Sequence, residues 1–110
     1  MEEEKRRFPR IKTNIKTTYQ YSGVTERAEI LNVSSNGIFI KTNYPPPIDS
    51  TLYVHFHFPG DPEPLDIEGQ VVWVKQTIQA AYPGMGIQFN EISPVHKERI
   101  QAFVESHMIN

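Results

Sequence analysis

The stretch IKTNIKTTYQY, residues 11–21, places Ile11, Thr13, Ile15, Thr17, Tyr19 and Tyr21 at odd positions and Lys12, Asn14, Lys16, Thr18 and Gln20 at even ones. A period of two is the repeat of a β-strand, whose successive side chains point to opposite faces. The chain is therefore predicted to begin its fold as a strand with one polar face. Outward from it the same grammar recurs. YSGVTE carries a glycine turn, and residues 27–31 form a second short strand that NVSSNG stops. GIFIKT restarts a β-branched and aromatic strand, and the three prolines of NYPPPIDS end it, because proline fits neither a helix interior nor a central ladder. Leu52, Val54, Phe56 and Phe58 alternate with Tyr53, His55 and His57. Beyond the PGDPEP connector, Leu65, Ile67, Gly69, Val71 and Trp73 alternate with Asp66, Glu68, Gln70 and Val72, and Gly69 marks a bulge or bend. YPGMG leads into a last strand with Met85, Ile87 and Phe89 on one face.

Only the final segment changes period. Ser93 suits an N-cap and Pro94 the first helical position, and Val95, Ile100, Phe103, Val104 and Met108 fall near helical spacing, which predicts a helix over about residues 93–108. Six short strands with turn chemistry between them indicate an all-β fold, an antiparallel barrel or sandwich, with a terminal helix over one end or face.

Composition bounds the function. At 110 residues the chain suits one domain, expected over residues 11–110 behind a flexible arm of residues 1–10. With no second domain to carry an output, a signal would pass to another protein. There is no cysteine, which excludes disulfides, thiolate metal sites and a cysteine nucleophile and suits a reducing cytoplasm. No apolar run approaches the roughly 20 residues of a membrane span, so no membrane insertion is expected. A net charge of -2 argues against holding long nucleic acid by phosphate neutralisation. Yet Lys5, Arg6, Arg7, Arg10, Lys12 and Lys16, six of the eleven Lys and Arg, lie in the first sixteen positions, a local patch suited to a small anion.

Two constellations could carry binding. In EEEKRRFPRIK, residues 2–12, Pro9 keeps Phe8 out of the α region, so Arg6 and Arg10 do not share a helical face. The segment reads as an extended arm in which Phe8 anchors and the arginines project. A guanidinium binds phosphate through two parallel bonds and can also stack on a base or pair with guanine, whereas lysine does only the first. Taken alone, the cluster also fits a solvated tail, with residues 2–4 solubilising it or masking its arginines. In NVSSNG, Asn32, Ser34 and Gly37 make a turn in which Gly37 supplies an otherwise forbidden dihedral. Alternatively, Asn32 and Ser34 offer an acceptor and a hydroxyl to a ligand's base edge and phosphate.

An R-x-x-x-R arm ahead of the first strand, then N-x-S-x-x-G, then Gly69-x-Val71-x-Trp73, GMGIQF and a terminal helix together resemble the PilZ domain family, over nearly the whole chain. The resemblance implies a six-stranded antiparallel β-barrel and a bacterial, cytoplasmic receptor for the second messenger cyclic di-GMP, with no cofactor. It implies that Arg6 and Arg10 clasp the ligand and that Asn32, Ser34 and Gly37 form the second motif, with Arg7 as a further phosphate contact. The family accepts Asp or Asn at the position of Asn32. Lys5, Trp73 and Gly86 are auxiliary candidates: a basic Lys5 would favour a stacked pair of ligands, and Trp73 serves either the core and rim or a stacking role. The expected mechanism is that the ligand folds the arm against the barrel at Asn32 and Ser34 and reshapes a surface that an unidentified effector protein reads.

Other readings compete. His55 and His57, two imidazoles on one strand face, could join Asp61, Glu63 and His96 around a metal, but no third ligand falls at a recognised spacing, and no nucleophile–base pair marks an enzyme. Tyr19, Tyr21 and Tyr53 could stack single-stranded nucleic acid, although the basic residues do not interleave with them. A PilZ-like module that only docks a protein is the third alternative.

Overall fold

The alternation becomes strand throughout a computed structural model of the chain, which describes residues 9–75 and 82–108. Strands β1 (Ile11–Tyr21), β2 (Val24–Ser34), β3 (Gly37–Lys41), β4 (Thr51–Phe56), β5 (Leu65–Lys75) and β6 (Gly84–Phe89) precede helix α1 (Pro94–Ser106). Every pairing is antiparallel. The order β1-β2-β3-β6-β5-β4 closes on itself as a barrel, so the sandwich alternative falls away. Closure leaves one interior, filled by side chains from every strand, among them Ile15, Ile30, Ile40, Leu52, Ile67 and Met85, all buried.

The β1–β2 connection is a two-residue turn, with Ser22 at φ 55° and Gly23 at φ 81°, the left-handed pair that matches the twist of a tight hairpin. Helix α1 starts as expected: the Ser93 hydroxyl accepts from the His96 N–H at 3.2 Å, and Pro94 opens the first turn. Its end differs slightly, with His107 as the C-cap. Ile100 and Val104 enter the barrel's own core cluster and Phe103 stacks on Phe58 at 4.2 Å. Val95 and Met108 are exposed, contrary to the expectation that they share the apolar face. Arg99 ties the helix to the β4–β5 connection, donating to Asp61 Oδ2 at 3.0 Å and to the Glu63 and Pro64 carbonyls. The helix therefore seals the end where β4 turns into β5.

Three expectations need correction. Strand β2 is not a short segment stopped by NVSSNG: it runs through Asn32 and Ser34, and only Ser35 and Asn36 form the turn. Gly69 is not a bulge. It pairs regularly with Leu52 and Phe89, and it is glycine because a Cβ there would come within 2.5 Å of Ile87 Cγ2. The bulge lies further on, between Val71 and Trp73, where Val72 is an extra residue relative to β6. Val71 and Val74 consequently both face the core, and Trp73 leaves the face it was expected to share with Leu65, Ile67 and Val71.

Candidate functional site

A second irregularity decides which way the N-x-S motif points. Between Ile30 and Asn32 the β2–β3 register shifts, with Leu31 extra relative to β3. Ile30 and Val33, three residues apart, are both fully buried. Strict alternation from Ile30 would turn Asn32 and Ser34 inward, and the shift turns them to the face opposite Val33. Asn32 then pairs with Phe39 and Ser34 with Gly37.

Arg10, immediately before β1, reaches this face. Its Nη1 donates to Asn32 Oδ1 at 3.3 Å, joining positions 22 residues apart in sequence. Beside them lies a small polar groove of about 170 Å³, whose lining includes Arg10, Ser34, Asn36, Trp73 and Gln88, with Gly37 and Gly86 in its wall. Pockets for drug-sized ligands span roughly 300–1,000 Å³, so this groove holds one part of such a ligand rather than the whole. A larger hollow of about 580 Å³, bordered by Lys16, Arg27, His55 and His57, contains none of the expected site residues.

The groove's glycines are there for close approach. A Cβ on Gly37 would strike the Ile87 carbonyl oxygen of β6, and one on Gly86 would strike the Trp73 indole. Gly37 does not have a positive φ, so the expected dihedral role is wrong and a steric one replaces it. Trp73 lies against Gly86, stacks on Phe39 with ring centroids 5.3 Å apart and is 39% exposed. Phe39 sits on the outer face between Ile38 and Ile40, and it is nonetheless buried, flanked by the Trp73 and Tyr82 rings. Trp73 is thus part of the groove's rim.

Arg10, Asn32, Ser34, Gly37, Trp73 and Gly86 are brought together; Lys5, Arg6 and Arg7, with the rest of the arm to residue 8, lie outside the described residues. Sequence reasoning missed Asn36, Gln88 and Phe39. Asn36 stands at an unspecified position of the motif, and Gln88 is recognisable only once β6 is seen to pair with Gly37. The histidine alternative finds no cluster: His55 is bonded through Nδ1 to Asp66 at 2.5 Å, and no group of three or more candidate ligands occurs among the described residues. No helix among them is long and apolar enough to cross a membrane.

Fold and groove together define a small closed barrel, sealed at one end by a helix, with a polar recess at its β2–β3 hairpin. The chain belongs to the PilZ domain family, whose model matches residues 4–106. It is similar to the Bacillus subtilis inhibitor of motility, MotI/DgrA, at 15% identity and a TM-score of 0.79, over 94% of this chain and 51% of that one. It is similar also to the PilZ domain of Escherichia coli YcgR, solved with c-di-GMP, at 14% identity and a TM-score of 0.75, over 94% of this chain and 91% of that one. K. pneumonia MrkH, solved as its c-di-GMP complex, matches at 17% identity and a TM-score of 0.75, over 94% of this chain and 52% of that one. At these identities the likeness is one of fold, and the chain spans about half the length of MotI/DgrA and MrkH. No curated protein matches it in sequence.

Proposed function

We propose that the chain is a receptor for cyclic di-GMP, held by Arg6, Arg7 and Arg10 of the arm against the β2–β3 hairpin that carries Asn32, Ser34 and Gly37, with Lys5, Trp73 and Gly86 around them. The observation that carries this reading is the Arg10–Asn32 hydrogen bond, which joins the two motif halves at the edge of a polar groove. At 3.3 Å and exposed to water it is a long contact, readily exchanged for a shorter, charge-assisted bond to phosphate. The family membership and the cyclic di-GMP complexes of YcgR and MrkH support the same ligand. The groove's small size fits it as the seat of one base, with the phosphates lying across the arginines outside it. Binding is without covalent change, so the protein acts as a receptor rather than an enzyme, in the cytoplasm, and the altered arm and hairpin surface signals to a partner protein.

Calorimetric titration with cyclic di-GMP tests the reading, and Trp73, the single tryptophan, gives an independent fluorescence signal from the groove's rim. Saturable binding with a change in that fluorescence is expected. A stoichiometry of one nucleotide per chain would remove the stacked-pair role for Lys5. No binding at high micromolar ligand would leave a protein-docking module, and tight, salt-sensitive binding of single-stranded oligonucleotides instead would identify a nucleic-acid barrel.

A further inference from the structure

Ser34 is almost fully buried, at 5% exposure, and its hydroxyl is already engaged. It donates to Asn36 Oδ1 at 2.8 Å while the same oxygen lies 3.4 Å from the Asn36 backbone N–H that it accepts. A hydroxyl that accepts from the backbone has its hydrogen free to donate, and the short contact places that hydrogen on the carboxamide oxygen. The Gly37 carbonyl, at 3.3 Å, is the weaker acceptor. Asn36 is held from the other side too, because its carbonyl accepts the Phe89 N–H at 2.9 Å. With Oδ1 accepting from Ser34, the other half of the Asn36 carboxamide is its Nδ2 amide, a donor of two hydrogens on a residue that lines the groove.

We infer that Asn36 is a base-selecting residue and that Ser34 is the positioning residue that sets its donor face toward the ligand. This rests on the cyclic di-GMP reading and specifies how the site would read the base. Guanine offers two acceptors, O6 and N7, along one edge, whereas adenine offers N7 beside the N6 amino donor. A fixed amide donor at the groove pairs with the guanine edge and meets a second donor on adenine. Asn36 thus favours guanine over adenine, and the motif serine acts through the asparagine two residues on.

The test compares cyclic di-GMP with cyclic di-AMP by calorimetry on the full chain, in wild type, Asn36→Ala, Asn36→Asp, Ser34→Ala and the Ser34→Ala/Asn36→Ala double variant. Wild type is expected to prefer the guanine ligand, and Asn36→Ala to lower that preference about 3–10-fold, the worth of one hydrogen bond, by weakening cyclic di-GMP while cyclic di-AMP binds equally well or tighter. Asn36→Asp, which only accepts, should shift the preference toward adenine. Ser34→Ala should match Asn36→Ala, and the double variant should be no worse than either. An unchanged guanine-to-adenine ratio in Asn36→Ala, or losses from Ser34 and Asn36 that multiply, would overturn the inference while leaving the receptor reading standing. Binding of neither ligand by wild type would remove both. Asn36 is exposed, so its variants decide the matter even if Ser34→Ala does not fold.

Discussion

Gly37→Ala is expected to destabilise the barrel by contact with backbone rather than by torsional strain. A Cβ at Gly37 would collide with the Ile87 carbonyl oxygen, and it would come within 3.5 Å of Gln88 Cα. Both obstacles are main chain of β6, paired with β3 through Gly37–Gln88 and Ile38–Ile87, so neither can rotate away as a side chain would. Relief requires β3 and β6 to separate locally, at the overpacking cost of about 1–3 kcal/mol. For a domain near this size each kcal/mol lowers Tm by roughly 4–8 °C, so a 2 kcal/mol loss is a fall of about 8–16 °C. Gly60→Ala is the control. Gly60 has φ +83° with nothing within 4 Å, so an alanine there meets only the left-handed penalty of about 1 kcal/mol. Differential scanning calorimetry should therefore rank Gly37→Ala below Gly60→Ala, and both below wild type. A Gly37→Ala protein melting within about 2 °C of wild type, or above Gly60→Ala, would refute the steric account of this glycine.

Further outcomes follow from particular contacts. Arg10→Ala should weaken cyclic di-GMP binding by about 1.5–3 kcal/mol, or roughly 10–150-fold, with Tm nearly unchanged, because its Asn32 contact is exposed and long; equal calorimetric affinities would sink the arginine's role. Ile100→Ala removes a fully buried side chain where the helix seals the barrel and should cost about 2–5 kcal/mol in urea unfolding. The Asp61 carboxyl is held below its ordinary 3.8, first by the Glu63 backbone N–H and then by Arg99. A lowered folded pKa gives stability that is present above the unfolded value and lost as pH falls through the folded one. Asp61→Asn should therefore be less stable than wild type at pH 7, and the two melting curves should converge as pH falls below the carboxyl's lowered folded value; a gap that persisted in strong acid would rule out the ionised carboxylate as its source.

The strands were legible because their periodicity is local: the 1-3-5 pattern of β1 and of Leu52, Val54 and Phe56 needs no knowledge of neighbours, and the buried positions follow it. The Ser93–Pro94 helix start was legible for the same reason. The motif residues were readable as types and spacings, but the role of Gly37 was not, since the Ile87 carbonyl it must clear lies 50 positions away and becomes its neighbour only on barrel closure. Nor was the exposure of Val95 and Met108, which depends on how much of α1 the barrel end can cover.

The bulges explain why the faces of Asn32 and Trp73 were the hardest features to read. Pure alternation from Ile30 sends Asn32 and Ser34 to the core, and pure alternation from Val71 sends Trp73 there as well. A buried asparagine would need partners for its whole carboxamide, and an interior Trp73 would displace the side chains that already fill the barrel. One extra residue in each strand, Leu31 and Val72, reverses the face from that point on, while Val33 and Val74 keep the core filled. Both reversals fall on strands that flank the β3–β6 pair, so the two polar motif residues and the indole emerge on the same outer face, with Gly37 and Gly86 clearing the surface between them. Deleting Val72 removes the extra residue and should leave β5 in regular alternation, with Trp73 directly after Val71, still opposite Gly86 on the outer face, and Val74 still inward. Tryptophan emission and ligand binding are therefore expected to stay close to wild type. A blue-shifted emission together with loss of binding would show that the face of Trp73 is not set by this one extra residue.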